Sequence, residues 1–208
     1  MKQEIFEQDN LPLQEFENIG LASNGKLLLE PDDLMALLAG RRTGIIRIQN
    51  LSADGLVIKE LDTKFSVIQN NSGDLELRFH PLYIKPVHSE SFTPKEMGLL
   101  ETGQIKNVIK NVKNADGVFR EVILEFDVQN NEFVVTDSTK IIVPEIINNE
   151  VLNQEQQALF RRGLEIQTTD GSRFRFSALQ ATGIHSDYSA QIQQLDNYPH
   201  LQRSGPSR

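Results

Sequence analysis

A chain of 208 residues with 38% hydrophobic and 24% charged residues has the composition of a folded globule, and eleven phenylalanines supply large side chains for a core. The absence of cysteine excludes disulfides, thiolate nucleophiles, thiolate metal sites and thiol redox chemistry. A formal net charge of −8, without a dense cluster of Lys and Arg, speaks against a surface built to track a nucleic-acid backbone.

The acidic residues gather at the front, where Glu4, Glu7, Asp9, Glu15, Glu17, Glu30, Asp32 and Asp33 face only Lys2 and Lys26 before residue 41. Solubility is reason enough for such a segment. The opening Met1-Lys2-Gln3-Glu4 has no apolar run of the kind a signal peptide needs. No stretch is long and apolar enough for a membrane helix, so the expectation is a cytoplasmic protein without membrane contact.

Three segments share a polar opening, a short helical apolar pattern and a stopping glycine. The first predicted helix runs from Glu30 to Gly40. An extended stretch, an Asp54-Gly55 turn and strands at Leu56-Val57-Ile58, Phe65–Gln69 and Leu75–Phe79 follow it. Pro86 and the polar Ser89-Glu90-Ser91 mark a boundary.

The second predicted helix begins at Thr93 and stops at Gly103; Thr93 caps it, Pro94 takes the first position, and Glu96 completes a capping box. An Asp116-Gly117 turn and strands at Val118–Phe126 and Glu132–Val135 come next. In the first of these, Phe119, Val122, Leu124 and Phe126 are expected to look inward with one irregularity. Pro144 and Asn148-Asn149 mark a second boundary.

The third helix is capped by Asn153 and ends at Gly163. An Asp170-Gly171 turn, a strand over Arg173–Leu179 and another at Gln191–Leu195 complete the pattern. Gly40, Gly103 and Gly163 are spaced by 63 and 60 residues, the size of one helix and one meander. The fold class that follows is α+β, made of repeated units of a short helix followed by an antiparallel β-meander. The units are expected at 1–88, 89–147 and 148–196, with a disordered tail at 197–208.

Residues that could carry chemistry are sparse. The histidines His80, His88, His185 and His200 show no metal-ligand spacing. His80 reads as a strand end and His88 as linker. Ser186, beside His185 and Asp187, completes a triad's inventory, but triad members come together from separate elements. Phosphate-binding and calcium-binding loops are absent. No catalytic, cofactor or metal residue is assigned, and no cofactor is expected. Arg161 and Arg162 stand at a helix end, where the dipole favours cations, and Arg173 and Arg175 alternate with Phe174 and Phe176 and so face solvent. Together Arg161, Arg162, Arg173 and Arg175 are a possible interaction surface for phosphate or an acidic partner.

Two stretches carry a family resemblance. One is Phe92-Thr93-Pro94-Lys95-Glu96 through Leu99-Leu100-Glu101-Thr102-Gly103. The other is Ile142-Val143-Pro144-Glu145-Ile146, followed by Leu152-Asn153-Gln154-Glu155-Gln156 and Gly163. They resemble a Bacteroidetes domain-of-unknown-function family numbered 3945, as does the front half with Ile19-Gly20, Leu34, Leu37-Leu38 and Gly40-Arg41-Arg42-Thr43. The resemblance spans residues 11–196, while Ala181-Thr182-Gly183 and Gln191-Ile192-Gln193 depart from the family's Asn-Ala pair and aromatic-rich last strand. It implies an association with mobile elements such as conjugative transposons and their DNA-processing proteins, and no catalytic residue.

The functional expectation is therefore a non-enzymatic binding or accessory module with a protein partner, acting with mobile-element DNA-processing proteins. Direct nucleic-acid binding, and hydrolysis at an unrecognised site, are the alternatives.

Overall fold

The computed structural model describes residues 5–53, 56–86, 92–113 and 117–187. The fold is α+β, with short helices interspersed among small antiparallel sheets. Helix α1 (Leu13–Asn18) and a hairpin of β1 (Ala22–Ser23) and β2 (Lys26–Leu27) precede α2 (Pro31–Leu38). A sheet of β3 (Ile46–Ala53), β4 (Leu56–Gln69) and β5 (Leu75–Pro81) follows, in that order. Helix α3 (Pro94–Glu101) leads to β6 (Val108–Lys113), β7 (Phe119–Asp127) and β8 (Glu132–Asp137), again in chain order. A hairpin of β9 (Ile146–Ile147) and β10 (Glu150–Val151) introduces α4 (Gln154–Arg161). The third sheet orders β11 (Ile166–Gln167), β12 (Arg173–Phe176) and β13 (Ile184–Asp187).

The helix ends follow local chemistry. Thr93 accepts from the Glu96 N–H while Glu96 accepts from the Thr93 N–H, closing a capping box that satisfies two otherwise orphaned donors. Asn153 and Gln156 form a second box on α4. Gly40, Gly103 and Gly163 follow the three helices with φ of 67, 68 and 70°. At Gly163 space matters as well as φ, because a Cβ there would come within 2.7 Å of Ile123 Cδ1. The turn at Asp170-Gly171 joins β11 to β12 as expected. Residues 54, 55 and 116, the Gln191–Leu195 strand and the 197–208 tail lie outside the described residues.

Several strand expectations need correction. Leu56–Ile58 and Phe65–Gln69 are parts of one strand, β4, and the charged stretch between them is carried by cross-strand pairs. Arg47 holds Asp62 through two hydrogen bonds of 2.7 and 2.8 Å, and Gln49 meets Glu60 at 3.3 Å. The Arg173 strand stops at Phe176 rather than Leu179, where the chain turns and the Ser177 N–H bonds the Gly183 carbonyl. Phe119 is 69% exposed and lies outside the inward row, which comprises Val122, Leu124 and Phe126.

Three apolar clusters organise the interior. In the first, Phe16, Leu37, Ile48, Phe65 and Val67 pack α1 and α2 against one face of β3–β5. The second sets Met97 and Leu100 of α3 against Val122, Leu124 and Phe133. The third packs Phe160 of α4 with Phe174 and Phe176, and borrows Ile123 and Val134 from the second sheet. Both faces of β7 are therefore buried, the Val122/Leu124 side in one core and the Ile123 side against the other.

The face of β7 that carries Ile123 continues with Glu125 and Asp127, which are 1% and 4% exposed. Glu125 accepts from Arg175 Nη1 at 3.1 Å and from the Ala178 N–H at 2.7 Å. Asp127 pairs with Lys64 Nζ of β4 at 2.5 Å, both side chains 5% exposed. Removing one partner of such a pair leaves an uncompensated buried charge, which costs about 3–5 kcal/mol. Lys64→Met should therefore lower the unfolding free energy by about that much. A Lys64→Met, Asp127→Leu double variant should recover most of the loss, as read from urea unfolding of the two proteins.

Candidate functional site

Lys64 and Ser66 project from the face of β4 opposite the first core, and antiparallel pairing sets His80 across from Lys64 and Arg78 across from Ser66. This polar face meets the second sheet. Glu132, at the start of β8, receives both terminal nitrogens of Arg42, Nη1 at 2.7 Å and Nη2 at 3.0 Å. His80 lies 3.2 Å from the same carboxylate through Nδ1 and 2.8 Å from Ser66 Oγ through Nε2. Burial pushes the Glu132 carboxyl up, but the His80 hydrogen bond and the Arg42 charge outweigh it and hold the group below its ordinary range. The Tyr83 N–H bonds the Asn130 carbonyl, and Asn131 Nδ2 bonds the Tyr83 carbonyl, at 3.0 and 2.7 Å.

Beside this network lies a cleft of about 760 Å³. Its walls come from every sheet of three strands: Ser66 and Ile68 of β4, Val134 and Thr136 of β8, and Phe176 of β12. Ile5 and Phe6 add apolar surface, and Arg41, Arg42, Arg78 and Lys140 bring positive charge. Arg41 crosses the molecule to donate from Nε and Nη2 to the Ala181 carbonyl at 3.1 and 2.5 Å. Its burial pulls the guanidinium pKa down to about 10. Gly183 makes room for this side chain, since a Cβ there would meet Arg41 Nη1 at 2.9 Å. The lining therefore mixes apolar and cationic side chains.

The four arginines expected to form a surface are placed differently. Arg162 donates to Glu121 at 3.2 Å, Arg173 pairs with Glu165 at 3.3 Å, and Arg161 is exposed. Arg175 does not face solvent as expected: its side chain is 11% exposed, because Glu125 is buried on the neighbouring sheet and draws it inward. Three of the four thus already hold a carboxylate. His185 lies 3.1 Å from Asp187, and strand alternation directs Ser186 to the opposite face. His88 and His200 lie outside the described residues.

Sequence reasoning missed the junction residues Ser66, His80 and Glu132 and the cleft cations Arg41, Arg78 and Lys140. Their positions are set by which sheet faces which, and no local spacing encodes that. Among the described residues no cluster of His, Asp and Glu is suited to a metal ion, and no helix is long and apolar enough to cross a membrane.

The folded state also depends on carboxylates held below their ordinary range. At the Asp170 turn, hydrogen bonds from Thr168 Oγ1, the Ser172 N–H and hydroxyl, and Asn148 outweigh desolvation and bring the carboxyl from 3.8 to about 2. A group depressed on folding stabilises the native state above its unfolded value and ceases to do so as pH falls through the folded one. Stability should thus decline as pH drops from 3.8 toward about 2. Asp170→Asn should flatten that decline, as measured by urea unfolding at stepped acidic pH.

Residues 6–90, from the segment before α1 through β5, match the family described as protein of unknown function (DUF4099). No curated protein and no solved structure matches the chain. The resemblance to the family numbered 3945 is thereby overturned: the family that matches is a different one and is confined to the first sheet and its helices, and no link to mobile elements comes with it. What the chain shares with a known family is this N-terminal portion, residues 6–90.

Proposed function

We propose that the chain is a non-enzymatic binding module of three helix-and-meander units, at 1–88, 89–147 and 148–196, that receives its ligand in the cleft where they meet. One observation carries the reading: the cleft takes its walls from β4, β8 and β12, so a single site exists only when the three sheets are assembled. The repeated-unit part is supported by α2, α3 and α4. Each has eight residues, ends in a left-handed glycine and precedes a three-stranded antiparallel sheet. Nucleic-acid binding has less support, since three of the four candidate surface arginines are neutralised by carboxylates.

Thr136 shares the cleft-facing side of β8 with Glu132 and Val134, so Thr136→Trp should fill the space. Native mass spectrometry of the chain recovered from its host, with and without nuclease, tests the reading. The expected result is a bound component, small molecule or protein, that survives nuclease and is lost in the Thr136→Trp variant. A component retained by the variant, one lost with nuclease, or a bare wild-type chain would overturn it.

One observation favours a second reading, hydrolysis. Ser66 Oγ, His80 Nε2 and Nδ1, and Glu132 stand in the order of a nucleophile, its base and an orienting acid. On attacking an ester carbonyl, Ser66 would pass its proton to His80, which would return it to the departing alcohol. Against this, Ser66 sits inside β4, in register with Arg78 of β5 rather than on an exposed turn, and Glu132 is already engaged by Arg42. The binding reading predicts no covalent adduct with a fluorophosphonate probe. Labelling of Ser66 that disappears in a His80→Ala variant would establish the hydrolytic one.

A further inference from the structure

We infer that the cleft binds a small amphipathic organic anion, a carboxylate or phosphate head on an apolar body, with the head held among Arg41, Arg78 and Lys140; this rests on the cleft being the binding site. The charges decide it. Two ionic groups of the lining are already neutralised: Arg42 by Glu132, and Asp137 by Arg120 at 2.8 Å with further hydrogen bonds from Thr139. Three cations then remain in the lining. The side chains of Arg78 and Lys140 have no hydrogen bond or ion pair among the described residues, and the Arg41 side chain is answered only by the neutral Ala181 carbonyl.

Arg41 is the telling member. A guanidinium drawn out of water without a counter-charge is unfavourable, and the rest of this chain places carboxylates against its buried cations, as at Lys64 and Arg175. An arriving anion would supply what the chain omits. Arg41 is part-buried while Arg78 and Lys140 are exposed, and three like charges lining one cleft make it locally positive in a chain of net charge −8. Ile5, Phe6, Val134 and Phe176 supply the apolar surface, so an inorganic ion would leave most of the cleft unused. The cleft form suits a compact ligand, and a nucleic acid would need an open, continuous cationic stripe.

Isothermal titration calorimetry of the full chain tests this with four probes: 2-naphthoate, 2-naphthyl phosphate, the uncharged 2-naphthol and inorganic phosphate. The two aromatic anions should bind at least about tenfold more tightly than 2-naphthol and than inorganic phosphate, and more weakly as salt is raised. Whichever of the two binds better identifies the head. Arg78→Gln and Lys140→Gln, both at exposed positions, should each weaken the anions by about tenfold while leaving 2-naphthol and the melting temperature unchanged.

Equal binding of 2-naphthol, indifference to both substitutions, or binding of an acidic peptide in place of all four probes would overturn the anion inference. Thr136→Trp separates the two levels. If it abolishes a charge-independent binding, the cleft reading stands and the anion inference fails. If the probes bind Thr136→Trp as they bind the wild type, the cleft reading itself fails.

Discussion

Glu125 and Asp127 lie two residues apart on one buried face of β7, and each requires a cation that its own sheet does not provide. Arg175 of β12 answers the first and Lys64 of β4 the second. An unpaired charge at either place would cost several kcal/mol, so the middle sheet cannot be buried on that side unless the other two dock in register. Apolar contact would tolerate sliding, whereas paired charges with short hydrogen bonds admit one alignment. The positions of Arg42, His80 and Arg41 follow from that alignment.

The same constraint explains why a cleft survives at the junction. The outward face of the first sheet carries Lys64, Ser66, Arg78 and His80, which do not pack as apolar side chains do. Lys64 is satisfied by Asp127, His80 by Glu132 and Ser66 by His80, while the Arg78 side chain keeps no partner among the described residues, and the space beside them stays unfilled. The cleft is thus a by-product of joining the first sheet to the second through ion pairs, whereas the second and third sheets share an apolar core.

How much of this was legible in the sequence depended on the range of the interaction. Helix ends were readable because Thr93, Glu96, Asn153 and the three glycines act within a turn of one another. The α+β class and most strands were readable for the same reason. The length of β4 was not, because its charged middle is satisfied by Arg47 and Gln49 on a neighbouring strand and looks like a loop when read alone. Nor was the candidate site. Glu125 occupies an alternating polar position in a strand, which ordinarily means solvent. Its burial comes from Arg175 and Ala178, fifty or more residues away. Arg175 was misread for the mirror of that reason. A family match confined to residues 6–90 adds nothing on residues contributed by the second and third sheets.

The contact between Arg41 and the Ala181 carbonyl spans 140 residues of chain. Each helix and its meander is assembled from neighbours in sequence, which favours rapid local formation. The wall supplied by Phe176 and Ala178 closes over Arg41 only after the third sheet has been synthesised and has docked. During translation the outward face of the first sheet consequently stays open to water until β7 and β8 of the second sheet have followed it and supplied Asp127 and Glu132, and Arg41 stays open until the third sheet docks. The cleft is therefore a property of the three docked sheets together and of none of them alone.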